Sequence, residues 1–322
     1  MKTAHFLFSI AAILVLVLFG LDTHAAETLH IGYTNAQGTR IPVFIAKEQR
    51  IFDKHGLDVR LTRVAPGRAA VPRLISGELQ FFLGNSQPVI EAIAVEKAPL
   101  AIIASLGRER FAIYTKPEIT RVEELKGRRF GVSTPGASQD SIATRALEKL
   151  GLTPEKDVRI VATGLSVSAD RLLSLARGDV DAVAATADDV LQLGPEYTAK
   201  IRKLVDLSEL GILISGADVS VGKIYLRAQR GTVRRFLQAL DEALELARQR
   251  PDIVAAAYEK YAGVSDSRTL AQRVKEYYAS HPPEHPYPDK PAIASALEEL
   301  KKKLPELNAD DPAAYIDDSL YL

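Results

Sequence analysis

The chain has 322 residues, 47% hydrophobic and 25% charged, with 41 basic side chains balanced by 41 acidic ones. That length exceeds one average domain, and a formal charge of zero gives no support to the concentrated basic face that nucleic-acid binding needs. With no cysteine, the chain excludes disulfides, thiolate sites for zinc or iron–sulfur clusters, a Cys nucleophile and attachment to lipid through an N-terminal Cys.

Lys2, the apolar run from Phe6 to Gly20 and the small residues of Asp22-Thr23-His24-Ala25-Ala26 form a secretory signal pattern. Cleavage is expected after Ala25 or Ala26, so residues 1–26 are assigned as a signal peptide and the mature protein to the periplasm. The run is shorter than the roughly 20 residues that cross a bilayer, which disfavours an uncleaved anchor.

Leu29–Thr34 then reads as a buried strand. Pro42 suits the first turn of a helix through Phe44, Ile45, Ile51 and Phe52 that Gly56 ends. Val59–Val64 is a strand, Val71–Ile75 a helix closed by Gly77, Phe81–Leu83 a short strand and Val89–Val95 an apolar helix. Leu100–Leu106 is continuously apolar, as a strand covered on both faces should be. Gly107-Arg108-Glu109-Arg110 breaks the pattern, and Phe111–Thr115 resumes as a strand; this is the first expected crossing between lobes.

After the short turn-like helix Val122–Gly127, the chain repeats itself. Ile31-Gly32-Tyr33-Thr34 and Phe130-Gly131-Val132-Ser133 open two copies of one order of signals. Each continues with a polar loop, a helix ending in Gly56-Leu57 or Gly151-Leu152, and a strand, Asp58–Leu61 or Asp157–Ile160. A second helix then ends at Ser76-Gly77-Glu78-Leu79 or Arg177-Gly178-Asp179-Val180. Each copy closes on a small polar loop, Gly84–Gln87 or Ala185–Asp188. Two βαβαβ copies predict two similar lobes with facing loops, and hence a cleft.

Beyond the second copy, Lys203–Leu207 and Ile212–Ser215 read as strands and Val219–Leu226 as the return crossing. The remainder is helical: Thr232–Arg250, Pro251–Tyr261, Ser267–Ala279 and Ala292–Leu304. His281-Pro282-Pro283-Glu284-His285-Pro286-Tyr287-Pro288 is a rigid loop, because its prolines exclude a helix interior. They also deny His281 and His285 the helical spacing of a metal pair, so no metal is expected. Lys301-Lys302-Lys303, beside Glu298, Glu299 and Glu306, reads as a solvated helix face.

In an open parallel sheet, ligands sit beyond the C-terminal strand ends. The first copy offers Tyr33, Thr34, Asn35, Gln37, Thr39 and Arg40 there, with Asn85, Ser86 and Gln87 after its third strand. The second offers Ser133, Thr134, Gly136, Ser138 and Gln139, with Thr186, Asp188 and Asp189 after its third strand. These are hydroxyls, amides and few charges, suited to binding; as single residues they also serve as turn formers and helix caps. Asp188 or Asp189 fits an ordinary acid in a first helical turn. Arg108 and Arg110, at the crossing, suit either an anionic ligand or ion pairs at a hinge. No nucleophile–base grouping, phosphate-cradling Gly-rich Lys loop or His-Glu-x-x-His motif is present.

These stretches, together with Leu125-Lys126-Gly127-Arg128-Arg129-Phe130-Gly131-Val132, Gly178-Asp179-Val180-Asp181-Ala182 and the C-terminal Asp311-Pro312 and Tyr315-Ile316-Asp317, resemble the periplasmic solute-binding proteins of ABC importers. The likeness is to the group that binds aliphatic sulfonates, taurine, nitrate and thiamine-precursor pyrimidines, and it covers nearly the whole mature chain. It implies an α/β, two-lobed periplasmic-binding-protein fold of type II, each lobe a mixed β-sheet flanked by helices, joined by two hinge crossings near Gly107–Phe111 and Gly216–Gly222. The expected lobes are 27–107 plus 222–322, and 108–221.

The function implied is capture of a small polar or anionic organic molecule and its delivery to an ABC permease in the inner membrane, by a monomer with no cofactor and no enzymatic activity. Departing from aromatic-rich members, the chain has no Trp, which favours hydrogen bonding over stacking of a flat ligand. Two alternatives are a ligand-sensing module for a receptor or kinase, and an enzyme resembling the thiamine-pyrimidine synthases. The latter carry a Cys-rich motif that this chain lacks.

Overall fold

The computed structural model describes residues 27–135, 138–307 and 311–321; the expected signal peptide lies outside them. The first copy of the repeat forms β1 (Glu27–Tyr33), α1 (Ile41–Glu48), α2 (Ile51–Lys54), β2 (Leu57–Arg63), α3 (Ala70–Ser76), β3 (Phe81–Gly84) and α4 (Gln87–Glu96), and β4 (Leu100–Ser105) follows. After β5 (Phe111–Thr115), the second copy forms β6 (Arg129–Val132), α5 (Ser138–Lys149), β7 (Arg159–Ala162), α6 (Ser168–Arg177), β8 (Ala182–Thr186) and α7 (Ala187–Val190), with α8 (Pro195–Thr198) and β9 (Arg202–Asp206) beyond. The repeated Gly turns have one cause. Gly77 and Gly178 take left-handed backbone (φ 79° and 89°) directly after α3 and α6, a conformation that side chains with a Cβ disfavour.

The chain builds two five-stranded mixed sheets, ordered β2-β1-β3-β10-β4 and β7-β6-β8-β5-β9, where β10 is Asp218–Gly222. In each, the first three strands of a copy lie parallel: β1 between β2 and β3, and β6 between β7 and β8. The fourth place is taken by an antiparallel strand from outside the copy. β5, running in from the first lobe, inserts between β8 and β9; β10, running back, inserts between β3 and β4. Val219–Leu226 is therefore no crossing but strand β10 leading into α9 (Lys223–Ala228), and the first sheet resumes at Asp218, ahead of the expected boundary at 222. Ile212–Ser215 forms no strand; only Ser215 makes an isolated bridge, to Arg108.

The crossings therefore lie at Gly107–Arg110 and 214–217, and they run side by side. Ala217 O accepts from Leu106 N (2.9 Å), Gly107 O from Gly216 N (3.0 Å) and Ile214 O from Glu109 N (3.0 Å).

The first sheet buries one face under α1, α2, α10 (Arg230–Gln249) and α11 (Pro251–Ala262), and the other under α3, α4 and α13 (Lys290–Lys303). α10 presents Val233, Phe236, Leu237, Leu240, Leu244 and Ala247 inward at helical spacing. Phe236 stacks on Phe81 with ring centroids 4.0 Å apart. Smaller cores flank the second sheet on both faces.

β4 ends its sheet yet is buried at every residue. The C-terminal segment and the proline-rich loop cover its free edge. Asp317 N donates to Ile102 O (3.0 Å), Ser105 N to Pro286 O (3.1 Å), and Tyr321 Oη to Ile103 O (3.1 Å) and Pro286 O (2.9 Å). The His281–Pro288 loop thus protects a sheet edge. His285 Nδ1 is 2.9 Å from Asp241, and the described residues hold no group of three or more potential metal ligands. No helix among them is long and apolar enough to cross a membrane.

Candidate functional site

Parallel strands aim their C-terminal ends one way, so the loops after β1, β2 and β3 face those after β6, β7 and β8 across the crossings. Between them lies a cleft of about 750 Å³. Thr34, Asn35, Thr39, Arg40, Asn85 and Arg108 line it from the first lobe and crossing; Ser133, Thr134, Thr186 and Asp188 line it from the second.

Tyr33 is not among the lining residues. Its ring meets Phe44 edge-on, with centroids 5.1 Å apart, and packs against the first-lobe core. Ser86 is buried behind the cleft, where its amide and hydroxyl contact Ser215 Oγ (both 3.1 Å). Gln87 turns away too, donating from Nε2 to Glu299 Oε1 (3.0 Å). Gly136 lies outside the described residues. Ser138 opens α5, and its side chain is likewise outside them.

The arginines of the cleft already have partners. Arg40, 3% exposed, donates to Glu109 Oε1 (2.6 Å) on one crossing and to Gly216 O (3.1 Å) on the other. It therefore ties the first βα loop to both crossings. Arg108 makes a bidentate pair with Asp289 (2.5 and 2.8 Å), and Arg110 pairs with Asp206 (2.8 Å). A solute entering here meets mainly neutral hydroxyls, amides and these three balanced cations, with Arg63, whose Nε donates to Thr34 O (3.3 Å), and Lys203 also on the lining.

The two adjacent aspartates divide the roles open to them. Asp189 caps its own helix: its amide donates to Thr186 Oγ1 (3.2 Å), and its Oδ2 accepts from Thr186 N (3.0 Å). Asp188 reaches across to the other lobe. It accepts from Tyr258 Oη of α11 (3.2 Å), lies 3.8 Å from Arg273 of α12 (Ser267–Ala279), and sits beside the Gly38 amide. Burial pushes its carboxyl up to about 6, against the nearby Arg273 charge that favours ionisation.

Several lining residues escape a reading by residue type. Arg63 ends β2 and Pro66 and Gly67 follow it, and Gly164, Ser166 and Ser168 follow β7; Glu276, Tyr277 and Ser280 come from the end of α12. The β2 and β7 loops were legible in principle, as equivalent points of the repeat. The α12 residues had no counterpart there. Arg171, 1% exposed, holds the β7 wall in place by donating to Leu165 O (2.8 Å) and Ser168 Oγ (2.7 Å).

Thr34 Oγ1, Asn35 Oδ1, Thr39 Oγ1, Gln139 Oε1, Asp188 Oδ1 and Tyr277 Oη all belong to lining residues and are enclosed without a hydrogen-bond partner in the protein. Buried polar atoms are nearly always satisfied, so these six make the cleft the candidate site.

Two mixed α/β lobes joined by paired crossings around a polar cleft define the periplasmic-binding-protein fold. Residues 37–253 match the model of the NMT1/THI5-like family, and the chain belongs to that family. Among solved structures, it is similar to the periplasmic aliphatic sulphonate-binding protein SsuA of Escherichia coli: TM-score 0.72 and 21% identity over 90% of this chain and 92% of that one. It is similar to the alkanesulfonate-binding protein SsuA of Xanthomonas axonopodis pv. citri bound to MOPS: TM-score 0.69, 20% identity, 91% and 99% coverage. The periplasmic nitrate-binding protein NrtA of Synechocystis PCC 6803 matches with TM-score 0.69 and 13% identity over 92% of this chain and 87% of that one. No curated protein matches the chain in sequence.

Proposed function

We propose that this protein is a periplasmic solute-binding protein. It captures one small polar organic molecule between its lobes and hands it to an ABC permease. The observation that carries the reading is the cleft of about 750 Å³, whose polar oxygens come from both lobes and are left unpartnered by the protein itself. Its volume is in the range of small-molecule sites, roughly 300–1,000 Å³. The fold and the named neighbours, which bind sulfonates and nitrate, support the same reading. A solute touching both lobes binds the closed form best and so shifts the population toward closure.

Because Arg40, Arg108 and Arg110 are each occupied by a carboxylate, neutral polar solutes belong in the test beside anions. Thermal shift against alkanesulfonates, MOPS, nitrate, amino-substituted pyrimidines and neutral polar solutes tests the proposal. A solute at 100-fold over its Kd stabilises by about 2.7 kcal/mol, which raises the Tm of a chain this size by roughly 4–5 °C. Asn35→Ala should remove most of that shift. No response to any solute, alongside chemical turnover of one of them, would contradict the proposal.

A further inference from the structure

The cleft is flanked by direct lobe-to-lobe contacts that involve no solute. On one side is the Asp188 contact with Tyr258 and Arg273. On the other, α13 of the first lobe lies against α5 of the second. There Arg145 Nη2 donates to Ser295 Oγ (2.6 Å), and Arg145 Nη1 is 3.4 Å from Glu299 Oε2. The Arg145 side chain is 13% exposed and that of Glu299 is 7%. Lys303 contacts Ser141 Oγ in the same seam, and Lys302 reaches Glu148 (2.6 Å) at its rim. The residual crevice is about 20 Å³, room for about one water molecule.

Glu299 also connects to the cleft. Its Oε1 accepts from Gln87 Nε2 (3.0 Å), and Gln87 N donates to Asn85 Oδ1 (2.9 Å). A cleft residue is thus joined through two hydrogen bonds to the seam between lobes.

We propose that Arg145 and Glu299 form an interlobe clasp that shifts the solute-free protein toward the closed arrangement without completing the closure that solute brings. Each charge rides on a helix packed against its own lobe, so separating the lobes returns both to water. Closing them without compensation would bury a charge, which is strongly unfavourable. The ion pair therefore admits the closed arrangement and fixes its register, while loss of one partner selects the open form. The clasp rests on the solute-binding reading only for its effect on affinity: Kd weakens by the factor by which the closed fraction falls.

The absence of cysteine makes a distance measurement direct. Arg60→Cys on β2 and Lys156→Cys before β7 are both at exposed positions and carry spin labels on opposite lobes. Pulsed electron–electron resonance on the solute-free protein should resolve a distinct short-distance, closed population. Glu299→Gln, which leaves Arg145 uncompensated in the seam, should raise the open-to-closed ratio at least tenfold. Glu299 Oε1 also lies 3.3 Å from Lys303 Nζ, whose side chain is 41% exposed, so Arg145→Met combined with Glu299→Gln leaves only a solvated charge and should bring the ratio back to within about threefold of the parent. Circular dichroism of both variants establishes that they fold. A parent distribution already as broad as that of Glu299→Gln overturns the clasp, as does a double variant as open as the single one. None of these readouts uses a solute, so the clasp and the solute-binding reading fail separately.

Discussion

Asp218 begins β10 with no solvent exposure, among Ser86, Ser105 and Ser215. Burial pushes its carboxyl from 3.8 up to about 6; the three hydroxyls pull the other way, but neither carboxylate oxygen gains a hydrogen bond of standard geometry. Between those two values the native chain holds a proton that the unfolded chain has released. Stability from this residue is thus greatest below about pH 4, falls as pH rises toward 6, and stays low above it. Asp218→Asn should stabilise the protein on the order of 1–3 kcal/mol at pH 7.5, with the gain vanishing near pH 4. Urea unfolding at the two pH values checks this; an equal gain at both would show that the carboxylate charge is not the cause. The same scale shows where reading residue types stops. Arg40 and Arg108 look like ligand cations in sequence, but their carboxylates, Glu109 and Asp289, lie 69 and 181 residues along the chain. Only folding brings them together. Asp188 and Asp189 are indistinguishable as letters, and become a lobe contact and a helix cap through their directions on one helical turn.

At the scale of elements, the paired crossings decide how the lobes can move. A Cβ on Gly216 would lie 2.8 Å from the backbone oxygen of Gly107 and 2.4 Å from Thr39 Oγ1. Backbone cannot swing aside as a side chain can, so Gly216→Ala must push the crossings apart and disturb the Arg40 bond to Gly216 O. A loss of about 1–3 kcal/mol is expected, as for overpacking elsewhere, read as a lower urea midpoint with an unchanged slope. A midpoint equal to the parent's would mean that the crossings tolerate separation. Most strands and helices were legible because their apolar periodicity is strong: β5 and α12 form with the expected limits, and α10 and α11 lie within a few residues of them. β10 was not. Its apolar letters suit a crossing as well as a strand, and its neighbours β3 and β4 are more than a hundred residues earlier. The repeat could not reveal it either, since each sheet borrows its antiparallel strand from outside the copy that builds the rest.

For the whole molecule, duplication places two sets of loops face to face and leaves their side chains free to differ. The agreement between the copies is scaffold: strand cores, Gly-capped helices and parallel pairing. The difference is the lining of the cleft, with Thr34, Asn35 and Thr39 on one side, and Ser133, Gln139 and Thr186 on the other. The α12 residues Glu276 and Tyr277 complete one wall from a helical tail that the repeat does not contain, which is why the sequence pattern stopped short of them. Native mass spectrometry of the protein isolated undenatured from its host tests the central claim most directly. The account predicts a single small molecule retained per chain, released intact on denaturation and retained poorly by Asn35→Ala. A bare chain that gains no mass from any solute in the panel, or a bound molecule recovered chemically altered, would contradict it.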